Sequence, residues 1–270
     1  MLSAREIILK KKILSLPDLP TLSANVIELV RLLSHEEVDL NPVFECIKRD
    51  PILVTKMLKV VNSSLYSLPR KIETVEMVVT LLGVRKIKEL VLSASVMDTI
   101  NASDSSLWDH SFTTAALISK IVKQEKVQVS SNITITALVH DIGQVILKMF
   151  NPNGEKMAIK KMEDEGMPLH EAERAILEVD HALVGSWLME AWQLDEDIIV
   201  PVAYHHSHDE VSENYIKDIA ILQLADYIDE HLRGFPCHKV PMELLQAAGF
   251  ENIDIDYWMD QQAEVLNLTS

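Results

Sequence analysis

A histidine and an aspartate stand side by side in Ala137-Leu138-Val139-His140-Asp141-Ile142-Gly143, inside an otherwise apolar run. This doublet limits what the chain can fold into more than any other feature. Taking an ionised carboxylate out of water costs several kcal/mol unless something pairs with it. The fold must therefore carry compensating groups to the doublet from elsewhere in the chain. A metal ion suits both side chains at once. For two residues alone, a solvated pair at a helix end explains the pattern equally well.

The remainder of the chain reads as helix. Leu, Ile, Val, Ala, Met, Glu and Lys dominate, and seven glycines are few for 270 residues. Apolar residues recur at helical spacing, with no strand-like alternation. Helix-start signals punctuate the first half. Thr21 and Ser23 precede a helix over 24–33, and Asp39, Asn41 and Pro42 open one whose apolar face is Val43, Phe44 and Ile47. Asp50-Pro51 opens another that stops at Asn62-Ser63-Ser64, and a loop runs through Pro69. Thr74 caps a helix over 75–82, Gly83 ends it, and 84–97 forms one more. The polar cluster Asn101-Ala102-Ser103-Asp104-Ser105-Ser106 is read as the boundary between a domain over 1–103 and a second over 104–270. In the second, helices are expected near 107–124, 132–150, 154–166, 168–179, 181–192, 195–206, 215–232, 241–248 and 254–267.

Charge narrows the function classes. With 41 acidic and 25 basic residues the formal charge is −16, a field that opposes nucleic-acid phosphates and anionic membrane surfaces. Neither is expected as a partner, whereas divalent cations would offset part of the charge. Cys46 and Cys237 form no CxxC pair, which fits a reduced, cytoplasmic setting. The N-terminal stretch lacks the apolar core of a signal peptide, and no apolar run approaches the roughly 20 residues of a membrane span.

The second half gathers residue types that bind metals. His110 lies in Trp108-Asp109-His110-Ser111, His140 and Asp141 form the doublet, and His181 follows Asp180. His205 and His206 are adjacent, and Asp226 sits in the apolar stretch Leu224-Ala225-Asp226-Tyr227. Singly, each is explained by helix capping, a polar helix end or a backbone-bonded carboxylate. Together they are imidazoles and carboxylates on separate predicted helices, ligands that iron, manganese, zinc or nickel accept. Seven such ligands suffice for two ions sharing a bridging aspartate, the arrangement that clamps a phosphoryl group, and Asp141 is the candidate catalytic residue. The first half holds one histidine, His35, and is expected to carry no metal.

The order of these residues resembles the HD superfamily of metal-dependent phosphohydrolases, and within it the HD-GYP phosphodiesterases of cyclic di-GMP. Their HS helix start is similar to His110-Ser111, their HDIG to His140 through Gly143, and their later lone histidine to His181 with Gly185. Their His-His pair is similar to His205-His206, and their last aspartate to Asp226 before Tyr227-x-Asp229. Three departures stand out. Gln144 replaces the lysine that follows HDIG, beside where a substrate phosphate would lie. The chain reads Ser207-His208-Asp209-Glu210-Val211 where a DGxGYP tail would stand. Ser106 falls where a glutamate serves a third metal.

Leu16-Pro17-x-Leu19-Pro20, Asp50-Pro51-x-Leu53, Leu58 to Asn62-Ser63, Leu82-Gly83, Glu173-Arg174 and Trp192 closely resemble the HDOD domain, over residues 14 to 235 or so. That resemblance implies an all-α fold in two lobes, the second an HD-like bundle. It also implies an output module of bacterial signalling that works through protein partners, most members having lost the HD ligands that this chain keeps. The alternative is a dinuclear-metal phosphohydrolase acting on a nucleotide or cyclic dinucleotide.

Overall fold

A computed structural model describes residues 3–34, 37–63, 66, 68, 70–103, 105–207, 211–250 and 252–266, among which every regular element is a helix. His35, Ser64, Pro69, Asp104, His208, Asp209, Glu210 and Asn267, all named above, lie outside the described residues. The chain forms two compact units, residues 20–108 and residues 1–19 together with 109–270.

This division differs from the one read at 103/104. The first helix, α1 (Ala4–Leu14), belongs to the larger unit, where it packs on the helix His181–Ala191. Its inward residue Ile13 is buried, Lys10 pairs with Glu190 and lies 5.9 Å from the Trp187 ring centre, and Arg5 pairs with Glu178. The polar cluster is not a linker in its first half, because Asn101-Ala102-Ser103 continues a helix.

The smaller unit comprises α2 (Ala24–Leu33), α3 (Leu40–Lys48), α4 (Pro51–Val61), α5 (Val75–Leu82) and α6 (Val84–Ser103). The start signals act locally: Ser23, Asp39, Asp50 and Thr74 each accept a hydrogen bond from a backbone N–H of the first turn. The left-handed φ of 82° at Gly83 ends α5. α6 packs on α2, α4 and α5 over a core that includes Leu29, Met57, Val78, Leu90 and Val91, each worth about 1.5–3 kcal/mol of burial. Asn62 closes α4 by donating to the Leu58 carbonyl at 2.7 Å. It also pairs with both backbone groups of Ile72, at 2.7 and 2.8 Å.

The larger unit adds α7 (Ser105–Glu125), α8 (Ile133–Val139), α9 (Ile142–Phe150), α10 (Pro152–Glu165), α11 (Leu169–Leu177) and α12 (His181–Ala191). These are followed by α13 (Glu196–Tyr204), α14 (Ile216–Arg233), α15 (Met242–Ala247) and α16 (Ile255–Val265). The helix expected over 132–150 is two helices, because the backbone turns at His140-Asp141, where Asp141 has φ −96° and ψ 4°. Ile133–Phe150 is 18 residues of membrane-like hydropathy, but 78% of it is buried in the protein, as central core. α12 packs on α9 and α13, α13 on α8 and α14, and α14 on α15 and α16. The helix ends carrying His140, His181 and His205 are thereby brought together.

Candidate metal centre

The broken helix sets the site. Ending α8 at Val139 and restarting at Ile142 leaves His140 and Asp141 in a turn, with both side chains buried among other helices. Asp180 caps α12 through the Leu183 N–H at 2.8 Å, which makes His181 the first residue of that helix. His205 caps the C-terminus of α13, and Gln223 of α14 holds the following turn by donating to the Tyr204 and Ser207 carbonyls, both at 3.1 Å.

All seven predicted residues converge. His110 Nε2 lies 3.3 Å from His140 Nε2, 3.0 Å from Asp226 Oδ1 and 3.5 Å from Asp141 Oδ2. His140 Nε2 lies 3.4 Å from Asp226 Oδ1. The other Asp141 oxygen, Oδ1, faces His181 Nε2 at 3.2 Å and His205 Nε2 at 3.5 Å, and His181 Nε2 meets His206 Nε2 at 2.8 Å. Three overlapping groups therefore have ligand atoms mutually within 4.8 Å: Asp141, His181, His205 and His206; His110, His140 and Asp141; and His140, His205 and Asp226. Asp141 Oδ2 faces His110, while Oδ1 also lies 3.5 Å from His140 Nε2, so Oδ1 meets three of the imidazoles.

The outward nitrogens are anchored. His140 Nδ1 donates to the Ala137 carbonyl and His205 Nδ1 to the Val202 carbonyl, each at 2.7 Å. His181 Nδ1 bonds Glu173 at 2.6 Å, and the same Glu173 oxygen accepts the His181 backbone N–H at 2.8 Å. His110 Nδ1 bonds Asp229 at 2.8 Å. Asp229 is itself saturated by Thr113, Arg233 and, from α16, Gln262. A metal-binding histidine is held in this manner, its second nitrogen on a carbonyl or carboxylate fixing tautomer and ring orientation.

This arrangement tests whether a metal fits. Since Nδ1 of His140 and His205 donates to a carbonyl, Nε2 of each neutral ring presents a lone pair. Those lone pairs face carboxylate oxygens, His140 Nε2 at 3.4 Å from Asp226 Oδ1 and His205 Nε2 at 3.5 Å from Asp141 Oδ1. Among the described residues His205 Nε2 and Asp226 Oδ1 meet no hydrogen-bond donor in bonding geometry, although both are buried. Orphaned acceptors facing one another repel, and a cation between them removes the repulsion. The His/Asp cluster thus suits metal binding.

Electrostatics divide the imidazoles: against burial, the neighbouring carboxylates raise His110, His140 and His181, so a metal would displace protons from them. Burial pushes the Asp141 carboxyl up, but His140 and His181 beside it prevail and hold it well below the usual carboxylate range. Asp226 behaves likewise, burial being outweighed by the adjacent His110 and His140. Burial, then the charges of its histidine neighbours, keeps His206 well below the usual histidine value; burial also lowers His205. Neutral imidazole and ionised carboxylate are the forms a metal takes.

The sequence motifs include Asp229 and Glu173 but do not disclose that they anchor the imidazoles. Asp229 lies one helical turn from Asp226, so its shared face was discoverable; Glu173 and Gln262 gave no local signal of their part. Gln144 donates to Asp141 Oδ2 at 2.8 Å, so its amide braces the doublet. His170 stacks on His206, with ring centres 4.1 Å apart and planes at 13°. A cavity of about 240 Å³ opens beside His205, His206 and Asp226, bordered also by Glu230, Lys239 and His170.

One buried group near the anchors sets a pH dependence. Glu155 is 5% exposed and its Oε2 has no hydrogen-bond partner among the described residues. Burial first, and the charge of Glu173 second, push its carboxyl up to about 7. The folded state then binds this proton more tightly than the unfolded one, so its contribution is favourable at low pH and is lost as pH rises through about 7. In metal-free protein, Glu155→Gln is expected to be near neutral at pH 5 and stabilising at pH 8 by on the order of 1–2 kcal/mol. Urea unfolding at the two pH values checks this; an equal effect at both contradicts it.

Comparison with known proteins adds the family. The HDOD domain family matches residues 19–208, which leaves Asp226, Asp229 and Gln262 beyond the matched region. An uncharacterised protein of Treponema pallidum (strain Nichols) is 26% identical over 236 residues, 84% of this chain and 45% of that relative. The chain thus spans less than half the length of this relative. Among solved structures, an HDOD domain protein of unknown function from Geobacter sulfurreducens superposes with a TM-score of 0.79 at 22% identity, covering 98% of this chain and 95% of that one. A Shewanella amazonensis protein, to which metal-dependent phosphohydrolase activity is ascribed, superposes with a TM-score of 0.60 at 18% identity, covering 96% of each. At these identities the structures establish a shared fold.

Proposed function

This chain belongs to the HDOD family, and from that premise we propose that it is a regulatory module built around a two-metal HD centre, signalling to protein partners through its helical surface. The observation that carries the metal centre is the set of anchored imidazoles whose Nε2 lone pairs converge on the two Asp141 oxygens and Asp226. His110, His140, Asp141 and Asp226 would hold one ion, and Asp141, His181, His205 and His206 the other. Imidazole with carboxylate favours iron or manganese and admits zinc or nickel. When bound, such a pair binds a phosphoryl group and neutralises charge developing on it.

The chain's own residues favour binding over rapid turnover. Gln144 spends its amide on Asp141 and brings no positive charge beside the doublet. Charge-assisted bonds to phosphate are roughly twice as strong as neutral ones, so this position holds a phosphate weakly. Glu230 borders the cavity, and burial, reinforced by the Asp226 charge, raises its carboxyl well above the usual range.

The second reading, a metal-dependent phosphohydrolase, is favoured by the cavity reaching three of the ligands directly. The deciding experiment begins with elemental analysis of protein purified without a histidine tag, where two divalent ions per chain are expected. The protein, loaded with iron or manganese, is then followed for hours for hydrolysis of cyclic di-GMP. Turnover far below one per second is expected. A rate near ~1 per second, the low end for enzymes, and lost in Asp141→Ala, selects the phosphohydrolase instead.

A further inference from the structure

The cavity beside the ligands has a wall that the doublet and its histidines do not supply. Cys237, His238, Lys239, Val240 and Pro241 form it, in the segment between α14 and α15, beyond the region matched to the family. Two anchors fix this segment. Val240 is buried, and Cys237 Sγ lies 4.0 Å from the Tyr227 carbonyl oxygen on α14. Lys239 lies between them and borders the same cavity as His205, His206 and Asp226.

The cations of that cavity are unequal. His238 is engaged by Glu171 at 2.8 Å. His170 is stacked on His206, with ring centres 4.1 Å apart, and so faces that ring. Lys239 has no ion-pair partner among the described residues, in a chain of net charge −16. An ammonium that borders the same cavity as a cluster of metal-type ligands is suited to an anion that meets both. The volume of about 240 Å³ lies below the roughly 300–1,000 Å³ of cavities that enclose drug-sized ligands. One phosphate with a small substituent fits it; two linked nucleotides do not.

We infer that Lys239 is the phosphate-binding cation of this cavity, taking the part that Gln144 leaves vacant, and that the ligand is a small phosphomonoester and not a cyclic dinucleotide. The inference rests on the two-metal reading above and names the ligand class of that same centre. Ser207 and Gln223 border the cavity too and supply neutral polar groups for the substituent.

The test is calorimetric titration of inorganic phosphate into the full chain loaded with manganese, with the metal content of every sample measured. Lys239→Gln is expected to weaken phosphate binding roughly tenfold at unchanged metal content, and Lys239→Arg to restore most of it. A small monophosphate such as glycerol 3-phosphate should displace the phosphate, and cyclic di-GMP should not. Unchanged phosphate affinity in Lys239→Gln overturns the assignment of the lysine. Displacement by cyclic di-GMP as effective as by the monophosphate overturns the ligand class. A wild-type chain that takes up no manganese overturns the metal reading itself, and the metal analysis separates that result from a failure at Lys239.

Discussion

Asp141→Ala is expected to abolish binding of both metal ions, a larger loss than removal of any one histidine. Its two oxygens face four imidazoles, Oδ2 towards His110 and Oδ1 towards His140, His181 and His205, so a single truncation damages both halves. The consequence for stability follows from mass action. A ligand that binds only the folded state at 100 times its Kd adds about 2.7 kcal/mol. For a unit of this size that corresponds to roughly 5–10 °C in melting temperature. Manganese should therefore raise the melting temperature of the metal-free wild type by this amount, and a chelator should reverse the rise. Asp141→Ala should show neither response. Equal shifts in the two proteins would refute the assignment. Asp141→Asn keeps the volume and provides the check that loss of charge, not a cavity, is responsible.

Gly143→Ala is expected to cost at least ~3 kcal/mol, at the upper end of what overpacking a core usually costs. A Cβ at this position would lie 1.9 Å from the His181 carbonyl oxygen, 2.7 Å from the His181 carbonyl carbon and 2.8 Å from the Gly185 backbone nitrogen. These are backbone atoms of α12, so no side-chain rotation relieves the clash, and the start of α12 must move away from α9. His181 moves with it, since it is the first residue of that helix. The gain of roughly 1 kcal/mol from replacing glycine by alanine in a helix is too small to compensate. Denaturant unfolding should show the destabilisation, and metal titration should show weaker uptake by the Asp141, His181, His205 and His206 group. Gly185→Ala is the internal comparison. Its added Cβ would sit at 3.4 Å from a Val202 methyl and farther from the backbone, so it should be tolerated. Wild-type stability in Gly143→Ala would show that the helices do not approach this closely.

These two variants mark what could be read in advance. Gly143 belongs to a recognisable four-residue pattern, but nothing in the pattern says that α12 passes over it. Asp141 was legible as a residue that needs a cation, because an unpaired buried carboxylate is too costly to leave alone. The partners of its two oxygens were not legible, since they depend on how α7, α12 and α13 cross at the doublet.

The sequence by itself determined the helices and the membership of the cluster. Ser23, Asp39, Asp50, Thr74 and Asp180 cap helices through bonds to residues two or three positions ahead. Such interactions are local, so composition and spacing suffice to find them. The ligand types of the cluster were legible because polar residues stand out in apolar runs. Tertiary structure alone decided where α8 gives way to α9, that α1 joins the larger unit, and which groups anchor the imidazoles. His110 to Asp229 spans 119 positions, and Gln262 to Asp229 spans 33. At such separations neither periodicity nor capping carries information. A buried carboxylate can be saturated by any donor that packing delivers, and which donor arrives is fixed only when the helices dock.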